Sequence, residues 1–240
     1  MAIINATYEK IGRIWLSSKT KAKIQLTIDA YGYDWTHSSA AWYKKSILRR
    51  LRFQQKDRCC YCRRAINYNK GSYEIDHIID KGSRDKKYER FCFDLQNLAL
   101  ACKDCNNNKG TKSVLFNDLG ANAPYPLKGA PFFWVHPHLH DYSSHITIHT
   151  GWIYEANNGC KLGLRVIQHC KLDLLKDKEI KNRRVHVMAA ADLNEALARA
   201  AGFKNEAGVD ELCKEFGKSL AKKWKKGNAE IEAGIRSSLA

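Results

Sequence analysis

The chain has no apolar run approaching the roughly 18–20 residues needed to span a bilayer. Its opening stretch, MAIINATYEKIGRIW, lacks the charged start and long apolar segment of a secretory leader. Both absences point to a cytoplasmic address and no membrane partner. Proline is scarce, with four in 240 residues, and three of them fall in GANAPYPLKGAP at 120–131, which marks a boundary between regions. There is no internal repeat and no low-complexity tract, so solenoid and array architectures are excluded. Acidic side chains are outnumbered 25 to 41, giving a formal net charge of +16. Residues 1–58 alone contribute +8 of this, against +4 each from 59–115 and 116–240. Such an excess favours a polyanionic partner, because each phosphate neutralised by Lys or Arg releases condensed counterions. Hydrophobic residues make up 44% of the chain, which is ordinary globular content and enough for one sizeable core or two small ones.

The pattern along the chain is uneven. Residues 1–37 carry basic-apolar alternation in KTKAKIQLTI and an aromatic turn in YGYDWTH, without a decisive period. From there, AAWYKKSILRRLRFQQK predicts a helix capped by Ser38 or Ser39. Its apolar face is Trp42, Ile47, Leu48 and Leu51, and Lys44, Lys45, Arg49, Arg50 and Arg52 lie on the other. That basic face is either a solvated surface or a phosphate-facing stripe. SYEIDHII reads as a short strand, DKGSRDKKYER as a polar loop, and CNNNKGTKSVLF as a helix start. Beyond the proline-rich boundary, HITIHTGWIYEANNGCKLGLRVIQ predicts β-hairpin material with turns at Thr150-Gly151 and Asn157-Asn158-Gly159. Two further helices are expected after it, in LDLLKDKEIKNRRVHVMAAADLNEALARA and VDELCKEFGKSLAKKWKK. The fold class is α+β, in three regions: a basic helical arm over 1–57, a motif core over 58–119, and a hairpin-plus-helices region over 120–240.

Nine cysteines in a chain with a cytoplasmic address argue for metal binding or burial over a disulfide framework. Cys59-x-x-Cys62 and Cys102-x-x-Cys105 have the spacing that lets two thiolates of a tight turn reach one tetrahedral ion. Four thiolates close the shell, which is the structural kind of Zn²⁺ site. Cys60, Cys92, Cys160, Cys170 and Cys213 follow no ligand pattern and read as small buried hydrophobes.

Clamping those thiol pairs together brings EIDHI beside CNNNK. Asp76 offers a hard carboxylate oxygen and Asn106 an amide carbonyl, a sparse set that suits a Mg²⁺-like ion keeping several waters. His77 is the side chain suited to take a proton from water near neutral pH. Lys109 shares a helix face with Asn106 and can hold a phosphate. Neighbours in a regular strand point to opposite faces, so Asp76 and His77 serve one site only where the strand ends or bulges. Taken singly, each of these residues has a blander reading, such as a helix cap for Asn106. Their order makes them a set.

The pieces CCYC (59–62), EIDHII (74–79) and QNLALACKDCNNNKG (96–110) together resemble the zinc-knuckle branch of the HNH endonucleases, the ββα-metal nucleases. The resemblance covers about a quarter of the chain. It implies His77 as general base, with Asp76 and Asn106 holding one catalytic Mg²⁺ or Mn²⁺. It further implies Asn97 as the middle polar residue that orders the loop and orients the base, and Lys109 as a phosphate contact. The third family position is often histidine, whereas here it is Asn106. The implied activity is hydrolysis of DNA at the P–O3′ bond, leaving 5′-phosphates, with RNA using the same groups. Under this division Asp76 is catalytic only, so its removal is expected to spare stability. Glu74 is either a carboxylate supporting the site or an exposed strand residue. The non-enzymatic alternative is a zinc-knuckle nucleic-acid-binding module.

Two features lie outside that core. WVHPHLHDYSSHITIH carries His136, His138, His140, Asp141, His145 and His149, a histidine-rich segment whose spacing matches no familiar ligand set. KSLAKKWKK places Trp224 among lysines, either as a base-stacking tail or as a basic amphipathic helix. The HP…D…HI segment, hairpin and leucine-rich helix together resemble the HNH subunits of Septu- and retron-type anti-phage defence systems. That weaker resemblance implies a regulatory ATPase partner.

Overall fold

The computed structural model describes residues 2–66, 71–82, 87–175 and 214. Both C-terminal helices expected after Leu175, together with Cys213 and Trp224, lie outside the described residues. By compactness the chain divides into Met1–Leu175 and Lys176–Ala240.

Helix α1 (Ser18–Tyr31) lies in the region without a decisive period. Ser17 caps it, its hydroxyl accepting from the Thr20 amide at 3.1 Å, and Gly32 ends it at φ +66°. Only Ile24 of this helix is buried, so it has almost no apolar stripe for periodicity to detect. Helix α2 (Ala41–Gln54) falls where the pattern predicts, but its start differs. A 3₁₀ turn over Ser38–Ala40 precedes it, and the capping acceptor is the His37 ring, which takes the Ser39 amide at 3.2 Å. Its buried face is Tyr43, Ile47 and Leu51, while Trp42 and Leu48 are half-buried at the margin.

Strand β1 (Tyr73–His77) pairs antiparallel with β2 (Leu98–Cys102), setting Tyr73 opposite Cys102 and His77 opposite Leu98. β2 leads directly into α3 (Lys103–Lys109), which stops at Gly110, φ +55°. These three elements make a β-hairpin with a helix packed on it. The sequence LALAC is apolar throughout because four of its five residues are buried. The far edge of β2 is closed by a side chain instead of a third strand. The Gln55 amide accepts from the Leu100 N–H at 2.8 Å and donates to the Leu100 and Arg58 carbonyls, each at 2.8 Å. Gln55 is fully buried, and with the Cys60 amide, which also donates to the Leu100 carbonyl at 3.0 Å, it replaces lost water contacts along this edge.

A second hairpin joins β3 (Ile146–His149) to β4 (Ile153–Ala156), turning through Gly151 at φ +86°. The chain start adds to its edge: Ile4 N–H donates to the Ile148 carbonyl at 2.7 Å and Thr150 N–H to the Ala2 carbonyl at 2.8 Å. The hairpin ends at Ala156. The following KLGLRVIQ, expected as further hairpin, is helix α4 (Lys161–His169), with Gly163, Val166 and Ile167 inward at helical spacing. Gly163 is needed there, because a Cβ would meet the His145 carbonyl oxygen at 2.3 Å.

Packing runs across the expected divisions at 57/58 and 119/120. The Tyr142 hydroxyl donates to the Tyr61 carbonyl at 2.8 Å and the Tyr154 hydroxyl to the Cys62 carbonyl at 2.7 Å, so the second hairpin and the 3₁₀ turn before it cap the backbone of the first thiol turn. Arg63, at the end of that turn with φ +58°, is buried between the rings of Tyr8 (3.7 Å) and Tyr142 (4.2 Å). Its Nη2 donates to the Glu9 carbonyl at 2.8 Å. Gln55→Ala should orphan the Leu100 amide and the Arg58 carbonyl and destabilise the fold by about 2–4 kcal/mol. Chemical denaturation of full-length protein measures this, with an unchanged m-value expected.

Candidate active site and metal centre

The turn at 59–62 and the junction of β2 with α3 bring the sulfurs of Cys59, Cys62, Cys102 and Cys105 within 4.8 Å of one another. Cys62 Sγ and Cys102 Sγ are 3.9 Å apart. A tetrahedral shell with zinc–sulfur bonds of about 2.3 Å has sulfur–sulfur edges of about 3.8 Å, so the cluster has the dimensions of a structural zinc site. Hydrogen bonding to the Cys102 sulfur is the main influence holding the Cys62 and Cys105 thiols well above their ordinary range. Burial would raise the Cys59 thiol, but hydrogen bonds from its neighbouring sulfurs, Cys102 first, outweigh it and hold the group well below its ordinary range. A bound dication would favour the thiolate form at all four positions. Cys60, in the same turn, is not one of the four, and burial, reinforced by its neighbour Cys59, raises its thiol. Among the described residues this is the one such cluster of cysteine, histidine and acid ligands.

β1 ends at His77, and there Asp76 and His77 both reach one cleft of about 840 Å³. Asn106, from α3, lines it too, as do Trp35, Lys44 and Lys81. The strand terminus resolves the demand that alternating neighbours share a site.

His77 is buried, with Nε2 3.0 Å from the Cys92 carbonyl oxygen. A carbonyl only accepts, so Nε2 carries the proton and Nδ1 presents its lone pair. Among the described residues Nδ1 has no hydrogen-bond partner. The Trp35 ring stands edge-on to the imidazole, centroids 4.8 Å apart at 85°. Behind it, Tyr43 of α2 donates its hydroxyl to the Phe93 carbonyl at 2.9 Å, fixing the chain beside Cys92. Burial, reinforced by Lys81, lowers the pKa of His77 to about 3, so the ring is neutral at physiological pH.

Asn97 is fully buried beneath this loop. Its Oδ1 accepts from the Ile79 amide at 2.7 Å, and its Nδ2 donates to the Ile79 and Phe91 carbonyls, both at 3.1 Å. It thus ties the segment after His77 to the segment that supplies the Cys92 carbonyl.

Asp76 accepts hydrogen bonds from the Tyr61 hydroxyl and, at 3.1 Å, from Lys109 Nζ. Burial pushes its carboxyl upward, and Lys109 and Tyr61 oppose this. Lys109 was expected to face a phosphate. Instead it is 1% exposed, and its ammonium lies between Asp76 and the His77 carbonyl at 2.8 Å. The helix ends at Gly110, and the preceding lysine extends inward along β1. Asn106 Nδ2 donates to Glu74, which also pairs with Lys103. Burial would raise the Glu74 carboxyl, but bonds from Lys103 and Asn106 outweigh it and hold the group below its ordinary range. With its amide nitrogen so engaged, Asn106 keeps its carbonyl oxygen for another partner. Asp76 and Asn106 are hard oxygen donors on one cleft, a set that fits a divalent ion retaining most of its waters.

The histidine-rich segment is built into packing. The Tyr125 hydroxyl and His136 Nε2 are 2.7 Å apart, His138 Nε2 donates to the Leu98 carbonyl at 2.9 Å, and His140 Nδ1 accepts from the His136 amide at 2.8 Å. Of the site's supporting residues, Trp35, Tyr61 and Gln55 escaped sequence reasoning. Each acts through a fold-level contact that has no local motif.

Asp76 is therefore a structural residue as well, against the expectation that it could be removed without loss of stability. Asp76→Ala leaves a buried ammonium unpaired and should cost about 3–5 kcal/mol. Adding Lys109→Met should restore most of that loss, read by thermal unfolding of both variants. Cys105→Ser should abolish zinc retention, measured by elemental analysis, and lower the melting temperature together with it.

Residues 59–112 match the family model for HNH endonuclease. No curated protein and no solved structure matches the chain. The matched stretch runs from the first knuckle cysteine to just beyond α3, and it is similar to HNH endonucleases.

Proposed function

We propose that this protein is a metal-dependent endonuclease that hydrolyses DNA phosphodiester bonds, with His77 as the general base. The observation that carries the reading is the fixed tautomer of His77: Nε2–H is committed to the Cys92 carbonyl, which leaves Nδ1 unprotonated, and the residue lines a cleft shared with Asp76 and Asn106. In this reading Nδ1 takes a proton from water as the water oxygen attacks phosphorus, and the P–O3′ bond breaks to leave a 5′-phosphate. A substrate phosphate in the cleft favours the imidazolium and lifts the ring's basicity from its low resting value. Asp76 and Asn106 would hold the Mg²⁺ or Mn²⁺, which stabilises charge on the phosphate and the departing oxygen. Trp35 and Asn97 keep the ring plane and its carbonyl partner in place. The four-thiolate centre takes no part in the chemistry.

The cationic character of the chain and the lysines at the cleft mouth support a nucleic-acid substrate. The weaker resemblance to anti-phage subunits extends the reading to a defence role alongside a regulatory ATPase.

Purified protein supplied with Mg²⁺ or Mn²⁺ should nick supercoiled plasmid, and His77→Ala should lower the rate by about 100-fold or more. Wild-type inactivity on DNA and RNA, with binding intact, would instead support the zinc-knuckle binding module.

A further inference from the structure

The outer side of α2 carries Trp42, Lys45, Arg49 and Phe53 at intervals of three, four and four residues, which places them on one stripe. The stripe spans about 16 Å along the helix axis. The inward face, Tyr43, Ile47 and Leu51, holds the helix on the domain, so the stripe is presented rigidly.

Three hollows follow one another along this surface. The catalytic cleft shares Lys45 and Leu48 with a groove of about 620 Å³ that also takes in Trp42, Arg49 and Phe53. That groove shares Arg49 and Phe53 with a third, of about 450 Å³, lined by Arg13 and Trp15. Phe53 is 81% exposed and Trp15 65%, unusual for large aromatics on a soluble surface. Cations sit on the neighbouring rings: Arg13 lies 3.8 Å over Trp15, and Lys23 4.4 Å over Trp42. Among the described residues, the one carboxylate lining the two outer grooves is Asp57, which Arg52 holds at 2.8 Å.

We propose that this stripe is a binding track for single-stranded nucleic acid, leading from the catalytic cleft across α2 toward Trp15. The proposal rests on the nuclease reading of that cleft and adds the class of substrate. Alternating cations and exposed rings match an unpaired strand, whose phosphates meet Lys45 and Arg49 while its free base faces stack on Phe53 and Trp15. A duplex covers those base faces with its own neighbours and would leave both rings unsatisfied. An apolar protein partner would bury the same rings, but at the cost of desolvating the lysine and arginines between them. The charge balance therefore favours the polyanion.

The test is fluorescence anisotropy on full-length protein without added Mg²⁺ or Mn²⁺, using a labelled 20-nucleotide oligo-dT and a 20-base-pair duplex. Oligo-dT should bind more tightly than the duplex. Phe53→Ala, an exposed position whose change spares folding, should weaken oligo-dT by about fivefold or more and leave duplex binding nearly unchanged. Lys45→Ala/Arg49→Ala should weaken both and lower the oligo-dT salt slope by about 1.4. Equal oligo-dT binding by Phe53→Ala and wild type would overturn the track, as would tighter binding of duplex. So would loss of self-association in Phe53→Ala with DNA binding intact, which would make the stripe a protein interface. Plasmid nicking measured in parallel separates the two readings. Nicking with a Phe53-independent affinity removes the track alone, whereas Phe53-dependent binding without nicking removes the nuclease reading alone.

Discussion

The closure of two short thiol turns onto each other is the constraint on which the rest depends. Residues 59–62 and 102–105 are separated by some forty residues, and joining them has an entropic cost that grows only slowly with loop length. What the closure delivers is placement. It sets the beginning of α3 against the beginning of β1, so that Lys109 at the far end of the helix reaches His77, and it holds Tyr61 where its hydroxyl meets Asp76. A two-stranded hairpin and a seven-residue helix have little core of their own. The sulfur centre, the Gln55 edge clamp and the tyrosine caps from the second hairpin and the turn before it supply the missing order.

The cleft at the end of β1 is held largely by main-chain carbonyls. The Cys92 carbonyl sets the imidazole tautomer, the His77 carbonyl anchors Lys109, and the Ile79 and Phe91 carbonyls are bridged by Asn97. Such partners do not rotate as side chains do, so the imidazole is held in place by loop geometry. The buried Asp76–Lys109 pair serves the same end in a different way. It leaves a carboxylate inside the protein with its charge matched, at a depth where an unmatched one would be expelled.

Much of this was legible in the chain, and the gaps have physical causes. The thiol pairs, β1 and the Asp76–His77–Asn106 set announce themselves by spacing, because metal shells and strand ends have fixed dimensions. α2 was readable from its apolar period, although its inward tyrosine was not, since Tyr43 faces the core to reach the Phe93 carbonyl. α1 buries a single isoleucine and has no stripe to find. α4 follows the second hairpin after only four residues and reads as its continuation, and its Gly163 permits close contact with the His145 carbonyl. Lys109 was misplaced because helix-face arithmetic gives the side on which a lysine starts, and the long stem decides where it ends.

The tyrosine caps bear on how the family-matched segment has to be handled as a transplantable module. Residues 59–112 look self-sufficient, carrying their own metal ligands and reactive groups. Yet the carbonyls of Tyr61 and Cys62 take their hydrogen bonds from Tyr142 and Tyr154, and the Arg63 guanidinium is stacked between Tyr8 and Tyr142. A fragment trimmed to the family-matched stretch would expose a stacked cation and two backbone acceptors at the base of its own metal turn. Moving residues 59–112 onto another scaffold therefore means carrying the N-terminal segment around Tyr8 and the distal hairpin with them.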